Sequence, residues 1–354
     1  MSGNLRQPRL RVLADNAELL GVIAAEITSN NHYAADRFRL TLQTTDAAAW
    51  SDVDSSLLDI QLALDGQSFA SLIQGEVDHL HLNPVTCCLH LEGRDLTARL
   101  IEARTQETFA NQTASDIANA LAARHGLSAD VQPTTTPVGA YWQLEHDRIT
   151  LDSFSRATTE WDLLVTLAGH EAFNAWITGT TLHFRPDDEA LSTLPTITPQ
   201  DVISLELERA LTLAHDIEVT VKSWNSRQAH AFAQTARAAR AGEKAKTQRY
   251  VYVVPNLTPD AALKLAQSRL AELTRHERVI SAEMPGELDL APRQQILLAG
   301  TNTSFDQTYW IDEITRRIDV NHGFTQHLRA RNATVGSQAT SPADPIGGAS
   351  WNAS

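Results

Sequence analysis

Five kinds of short motif in this 354-residue chain carry residue types that could do chemistry. His170-Glu171-Ala-Phe-Asn174 opens like a zinc-protease helix, in which a second imidazole one turn on completes a pair of ligands on one face. Asn174 stands where that second His would be, so the pattern fails. Gly66-Gln-Ser68-Phe-Ala70 opens like a nucleophile elbow, yet it ends in Ala and follows a hairpin signal instead of joining a strand to a helix. Gly242-Glu-Lys-Ala-Lys-Thr lacks the second glycine and the spacing of a phosphate-binding loop. His79-x-His81 puts two imidazoles on one face of a strand, a metal-like geometry without a nearby third ligand, and a solvated or hydrogen-bonded pair is the simpler reading. Asp187-Asp188-Glu189 and Glu283…Glu287-x-Asp289 could supply the paired carboxylates of glycoside hydrolysis. With 43 acidic residues in the chain, chance clusters are common, and solvated loops account for them. We therefore expect no catalytic, cofactor-binding or metal-binding residues, and no cofactor.

The elements that must carry these residues belong to an acidic globular chain. Lys plus Arg number 29 against 43 Asp plus Glu, a formal net charge of −14, and 42% of residues are apolar. A length of 354 residues implies two or three domains, because single cores stop growing well below it. The acidic balance argues against stable nucleic-acid binding, which relies on clustered Lys and Arg. No stretch approaches the ~20 apolar residues of a membrane span, and the start, MSGNLRQPRLRV, lacks the apolar core of a secretory leader. Membrane insertion and secretion by that route are not expected. Cys87 and Cys88, the only cysteines, are neighbours, so neither a disulfide framework nor a cysteine-based zinc site is expected.

From Leu10 to about Arg104 the pattern is of strands. Phe38-Arg-Leu-Thr-Leu and Leu58-Asp-Ile-Gln-Leu-Ala-Leu alternate apolar and polar residues, and Asp65-Gly66 supplies a hairpin turn that needs positive φ. This reads as an all-β first domain, a barrel, over 1–105. After Thr108 the period lengthens. A helix follows Thr113 or Ser115 as cap and ends near Gly126, a second covers Leu151–His170, and a small hairpin turns at Thr178-Gly179-Thr180, giving an α+β module over 106–200. Strands return at Val202–Glu208 and Ile217–Trp224, a helix covers Asp260–Arg275, and strands run from Val279 to about Ala330. Between them, 226–249 is an Ala-rich basic stretch, expected as a loop or loose helix, with Arg237, Arg240 and Lys244 as its candidate partner-binding residues. Trp50, Trp161, Trp224 and Trp310 have cores to join; Trp351, in the uncharged tail 333–354, has none, and is the remaining candidate contact for a partner.

Several segments, taken in order, resemble the phage late-control protein D family, the baseplate hub proteins of contractile tails, related to the base of type VI secretion spikes. They are Gly75-Glu-Val-Asp78 leading to Leu91-Glu-Gly93-Arg94-Asp95-Leu96-Thr97, Thr159-Glu-Trp161-Asp-Leu-Leu164, Ile217-Glu-Val-Thr-Val-Lys-Ser-Trp-Asn225, and the run from Val254-Pro-Asn through Met284-Pro-Gly286 and Tyr309-Trp-Ile-Asp312 to Ala330-Arg-Asn332. The resemblance implies an α+β, mainly β fold: two tail-tube-type β-barrels, the second over 201–332, with an α+β insertion between them and a flexible C-terminal tail. It implies a structural protein, not an enzyme, forming a homotrimeric ring that adapts a hexameric tail tube to a trimeric spike and lines the DNA channel. Its partners would be itself, the spike, the tube and other baseplate proteins, in a virion tail assembled in the host bacterial cytoplasm. The alternatives are a tail-associated cell-wall hydrolase, which would need a catalytic signature that is absent, and a type VI-like effector-delivery spike component.

Overall fold

The computed structural model describes residues 7–44, 46–53, 56–104, 109, 112–135, 137–138, 159–187, 193–214, 216–224, 231–238, 247–254 and 257–333. Among them strands dominate, so the chain is mainly β with α+β character. The described residues form two compact units. One draws on Met1–Glu189, Glu283–Gln294 and Ile311–Arg329, the other on Ala190–Ala282, Gln295–Trp310 and Ala330–Ser354.

The first unit begins with β1 (Pro8–Ala14), β2 (Ala17–Glu18), β3 (Val22–Asn30), β4 (Arg37–Gln43), a short α1 (Ala47–Ser51), β5 (Leu57–Leu64), β6 (Ala70–Asn83) and β7 (Cys88–Asp95). The strands lie in the order β3-β4-β7-β6-β5-β1-β2, and the pairs from β3 to β2 are antiparallel. The alternation has the expected cause. On β4, Phe38, Leu40 and Leu42 are buried while Arg37 and Arg39 face solvent, and Leu58, Ile60, Leu62, Leu89 and Leu91 complete the same core. Asp65 and Gly66 both take positive φ, as the turn requires. Gly93 answers a packing demand: a Cβ there would lie 2.1 Å from the Glu76 carbonyl oxygen and 2.3 Å from the Phe38 ring.

The helical part of this unit follows: α2 (Thr97–Glu102), α3 (Ala114–Arg124), β8 (Ser128–Val131), α4 (Glu160–Glu171), β9 (Asn174–Thr178) and β10 (Thr181–Arg185). Thr113 caps α3 through a reciprocal capping box with Asp116, and Gly126, at φ 68°, ends it with Leu127 N–H donating to the Ala122 carbonyl. The helix expected from Leu151 starts at Glu160, behind the cap Thr159; residues 151–158 lie outside the described residues. Leu100, Ile117, Leu121, Trp161, Leu164, Leu167, Leu182 and Phe184 are the core of this layer.

The second unit contains β11 (Thr196–Ile197), β12 (Ser204–Arg209), β13 (Asp216–Trp224), β14 (Ala231–Ala238), β15 (Thr247–Val253) and α5 (Pro259–Arg275). β16 (Arg278–Pro285), β17 (Gln295–Leu298), β18 (Thr308–Asp319) and β19 (Gly323–Asn332) close the chain, and β16, β18 and β19 each contribute residues to both units. In the first unit, Glu313–Asp319 of β18 pairs with β3. In the second, β13 is flanked by β14, antiparallel, and β15, parallel. Ala262, Ala266 and Leu270 of α5 cover Ile217, Val219, Val221 and Ala236. This corrects the expectation for 226–249, which is not simply a basic loop: Ala231–Ala238 is a strand, and another starts at Thr247. Alanine and arginine are weak strand formers, so the strand rests on its pairing with β13 and its cover by α5. No helix among the described residues is long and apolar enough to cross a membrane.

Candidate functional site

Of the residues expected to meet partners, only Arg237 is among the described residues. Arg237, on β14, donates to Asp216 Oδ2 at 2.8 Å with its side chain 53% exposed; Trp351, Arg240 and Lys244 lie outside the described residues. The rejected chemical motifs that fall among the described residues are scattered. His170 lies in the last turn of α4, Asn174 opens β9, Ser68 follows the turn after β5, and His79 and His81 lie exposed on β6. Among the described residues no group of three or more His, Cys, Asp or Glu converges as a metal site.

The first unit instead gathers a polar centre that sequence reasoning did not single out. Asp36 immediately precedes β4 and Asp95 ends β7, where the Asp95 N–H donates to the Asp36 carbonyl at 2.9 Å. The Asp36 carboxylate accepts from the Asn30 N–H at 2.9 Å and from Asn30 Nδ2 at 3.1 Å. Asp95 accepts from the Thr97 N–H at 3.2 Å and the Thr97 hydroxyl at 3.0 Å. Two arginines arrive from the far end of the sequence. Arg293, with φ 70°, donates to the Asn30 carbonyl at 3.2 Å, and its guanidinium lies 4.8 Å from the Trp176 ring centroid. Arg316 projects from β18 into the interior, 4% exposed, and donates to the Leu290 carbonyl.

Burial dominates the electrostatics. It pushes Asp36 up to about 6, against the Asn30 N–H and the charges of Arg293 and Arg316, which lower it. Asp95 is held well above the ordinary carboxylate range by burial first and by the Asp36 charge second. Burial also lowers Arg316 to about 10 and lowers Arg293, while the Asp36 charge opposes both shifts.

Around this centre the β strands meet the helical layer. The Tyr33 hydroxyl donates to Asn174 Oδ1 at 2.6 Å, and the Trp161 indole N–H donates to the Tyr33 carbonyl at 2.6 Å. Tyr33 takes φ 55°, so both Tyr33 and Arg293 hold a backbone region that non-glycine residues rarely adopt. A small cleft here is lined by Asn30, Asp36, Asp95, Trp161, Trp176 and Arg293, among others. The carboxylate hydrogen bonds from Asn30 and Thr97 are local to the chain, and the bonds of Tyr33 to Asn174 and Trp161 tie the strands to the helical layer. The available signal in the sequence was Arg316, which falls in phase with the apolar Ile314 and Ile318 on β18, where a charge needs buried compensation.

The fold recurs among solved tail proteins. A tail protein from Neisseria meningitidis superimposes with a TM-score of 0.70 at 15% identity, over 93% of this chain and 97% of that one. The 43 kDa tail protein of prophage MuSo2 from Shewanella oneidensis gives 0.69 at 16% identity, over 92% and 99%. An Escherichia coli component of the type VI secretion system gives 0.56 at 11% identity, over 95% and 78%. These likenesses establish the fold. No curated relative matches the sequence. The sequence itself, over residues 35–322, matches the family of phage tail baseplate hubs (GPD), and that span takes in β4 to β18 and every polar group of the joint except Asn30 and Tyr33. The chain belongs to the phage tail baseplate hub family.

Proposed function

We propose that the protein is the structural hub of a phage or phage-derived contractile tail, a homotrimer whose ring adapts the hexameric tube to the trimeric spike and lines the DNA channel. The family match over residues 35–322 carries the reading. In each subunit two tube-type barrels, 1–105 and 201–332, flank the insertion 106–200, and three copies give a ring of pseudo-sixfold symmetry. Closed cyclic symmetry covers strand edges without leaving a growing end. The ring joins spike, tube and neighbouring baseplate proteins in a virion tail assembled in the host cytoplasm. Arg237, Arg240 and Lys244 face those neighbours outside the bore, and Trp351 anchors a tail that orders on one of them. Acidic residues turned toward the channel, supplied by the charge of −14 per copy, keep DNA from adhering to its wall. The hub performs no catalysis. Light scattering on the purified protein, and on the protein co-expressed with its spike, tests the ring: three copies are expected, and a monomer in both preparations overturns it. Incubation with peptidoglycan should release nothing; release abolished by a single carboxylate substitution would instead identify a wall hydrolase.

A further inference from the structure

The strand pair β6–β7 brings together the one metal-like motif that the hub reading leaves unused. His79 and His81 share a face of β6, and the register sets them opposite Glu92 and His90 of β7, respectively. Cys88 lies two residues before His90, and these groups occupy the face opposite the buried Leu89 and Leu91. Cys88 Sγ and His90 Nε2 are 3.5 Å apart. A tetrahedral ion with ordinary Zn–S and Zn–N bonds of about 2.3 and 2.0–2.1 Å holds its sulfur and nitrogen at roughly that separation. The other His90 nitrogen, Nδ1, lies 3.1 Å from the Thr41 hydroxyl on β4, the kind of outer contact that fixes a ligating imidazole and turns its free nitrogen to the ion. Directly across the pair, the His81 ring centroid is 6.0 Å from that of His90, at 31°.

We propose that Cys88, His90 and His81 form a surface site for a borderline transition-metal dication such as Zn²⁺. As the side chains stand, two ligands converge, Cys88 and His90. His81, exposed on its strand, completes the set by a rotamer change toward its cross-strand partner. Binding takes Cys88 as thiolate, so one proton leaves as the ion enters, and water or a partner side chain fills the fourth position. His79 does not take part. It lies two residues earlier on β6, opposite Glu92, which is itself paired with Arg39 at 3.2 Å. Cys87 does not take part either, because at φ 53° it forms the turn before β7.

The test is a titration of the full, reduced, tag-free chain with Co²⁺ and then Zn²⁺. Wild type should show a thiolate-to-cobalt charge-transfer band that Zn²⁺ displaces, and a thermal transition that rises with Zn²⁺. Cys88→Ser should abolish the band, and His90→Gln and His81→Gln should each weaken binding at least tenfold. His79→Gln and Cys87→Ser should stay within about twofold of wild type. All five positions lie on the surface or its turn, so an unchanged metal-free transition reports an intact fold. The proposal is overturned if wild type binds neither ion up to about 100 µM, if the band survives in Cys88→Ser, or if His79→Gln or Cys87→Ser weakens binding as much as His81→Gln. The outcome is independent of the hub reading.

Discussion

The two units each bury charge, and they handle it differently. In the second, Glu277 is 2% exposed and accepts from Arg209 Nε and Nη2 at 3.2 and 3.1 Å, with Arg278 Nε 3.9 Å away. Asn332 ties the same turn together, accepting from the Arg278 N–H at 3.0 Å and donating to the Thr274 carbonyl at 3.2 Å. In the first, Arg293 and Arg316 donate to backbone carbonyls and act on Asp36 through their charge. Glu277 is thus a carboxylate met by direct donors, which locks a turn. Asp36 and Asp95 form a pair that burial drives toward the neutral form, and a joint built that way responds to pH where an ion pair does not.

The largest effect should come from cutting the direct pair. Glu277→Ala removes the buried carboxylate to which Arg209 donates twice, while Arg278 keeps its bond to the Ser304 carbonyl, and should cost about 3 kcal/mol in denaturant unfolding. A loss under about 1 kcal/mol would place Glu277 among ordinary surface pairs and erase the contrast.

Asp36→Asn comes next. The folded carboxyl titrates near 6, above its ordinary value of 3.8, so the folded state binds its proton more tightly than the unfolded chain does. Its stabilising contribution is complete below about pH 3.8 and is lost as pH rises through about 6. The amide cannot ionise. The variant should therefore gain on wild type by about 2 kcal/mol between pH 4 and 7.5, and a difference that stays flat over this range in urea melts would show that Asp36 does not titrate in the joint.

Trp176→Leu removes the ring over which Arg293 lies and which also stacks on His183 at 4.8 Å. It should cost about 1–2 kcal/mol and shift the pH response, since Arg293 would lose its hold beside Asp36. The smallest change, Tyr33→Phe, deletes the hydroxyl bonded to Asn174 and should cost about 1 kcal/mol, read as faster amide exchange in β9. If it costs nothing, the contact between Tyr33 and the helical layer is incidental.

Local features of both units were legible because their causes are local. The alternation of β4 and β5, the Asp65-Gly66 turn, and the Thr113 cap with Gly126 behind α3 all follow from side-chain direction, allowed φ or a single hydrogen bond within a few residues. β14 was not legible in the same way, since neither an Ala-rich run nor a basic one signals a strand. The joint itself was nearly invisible. Asp36 and Arg316 are 280 residues apart, each is unremarkable in its own window, and only the phase of Arg316 between Ile314 and Ile318 hinted at buried charge.

By itself, then, the sequence determined the period of each element, its caps and turns, the failure of the catalytic patterns at Asn174 and Ala70, and the ordered segments that mark the family. Tertiary structure alone decided that Glu283–Gln294 and Ile311–Arg329 return to the first unit, that His90 lies across from His81, and that Asp36, Asp95, Arg293 and Arg316 share one interior. The reason is the range of the forces. Backbone dihedrals and caps act within a turn, whereas strand neighbours are chosen by burying apolar faces against partners anywhere along the chain. A carboxyl's titration depends on how much water that burial removes, which no window of sequence contains.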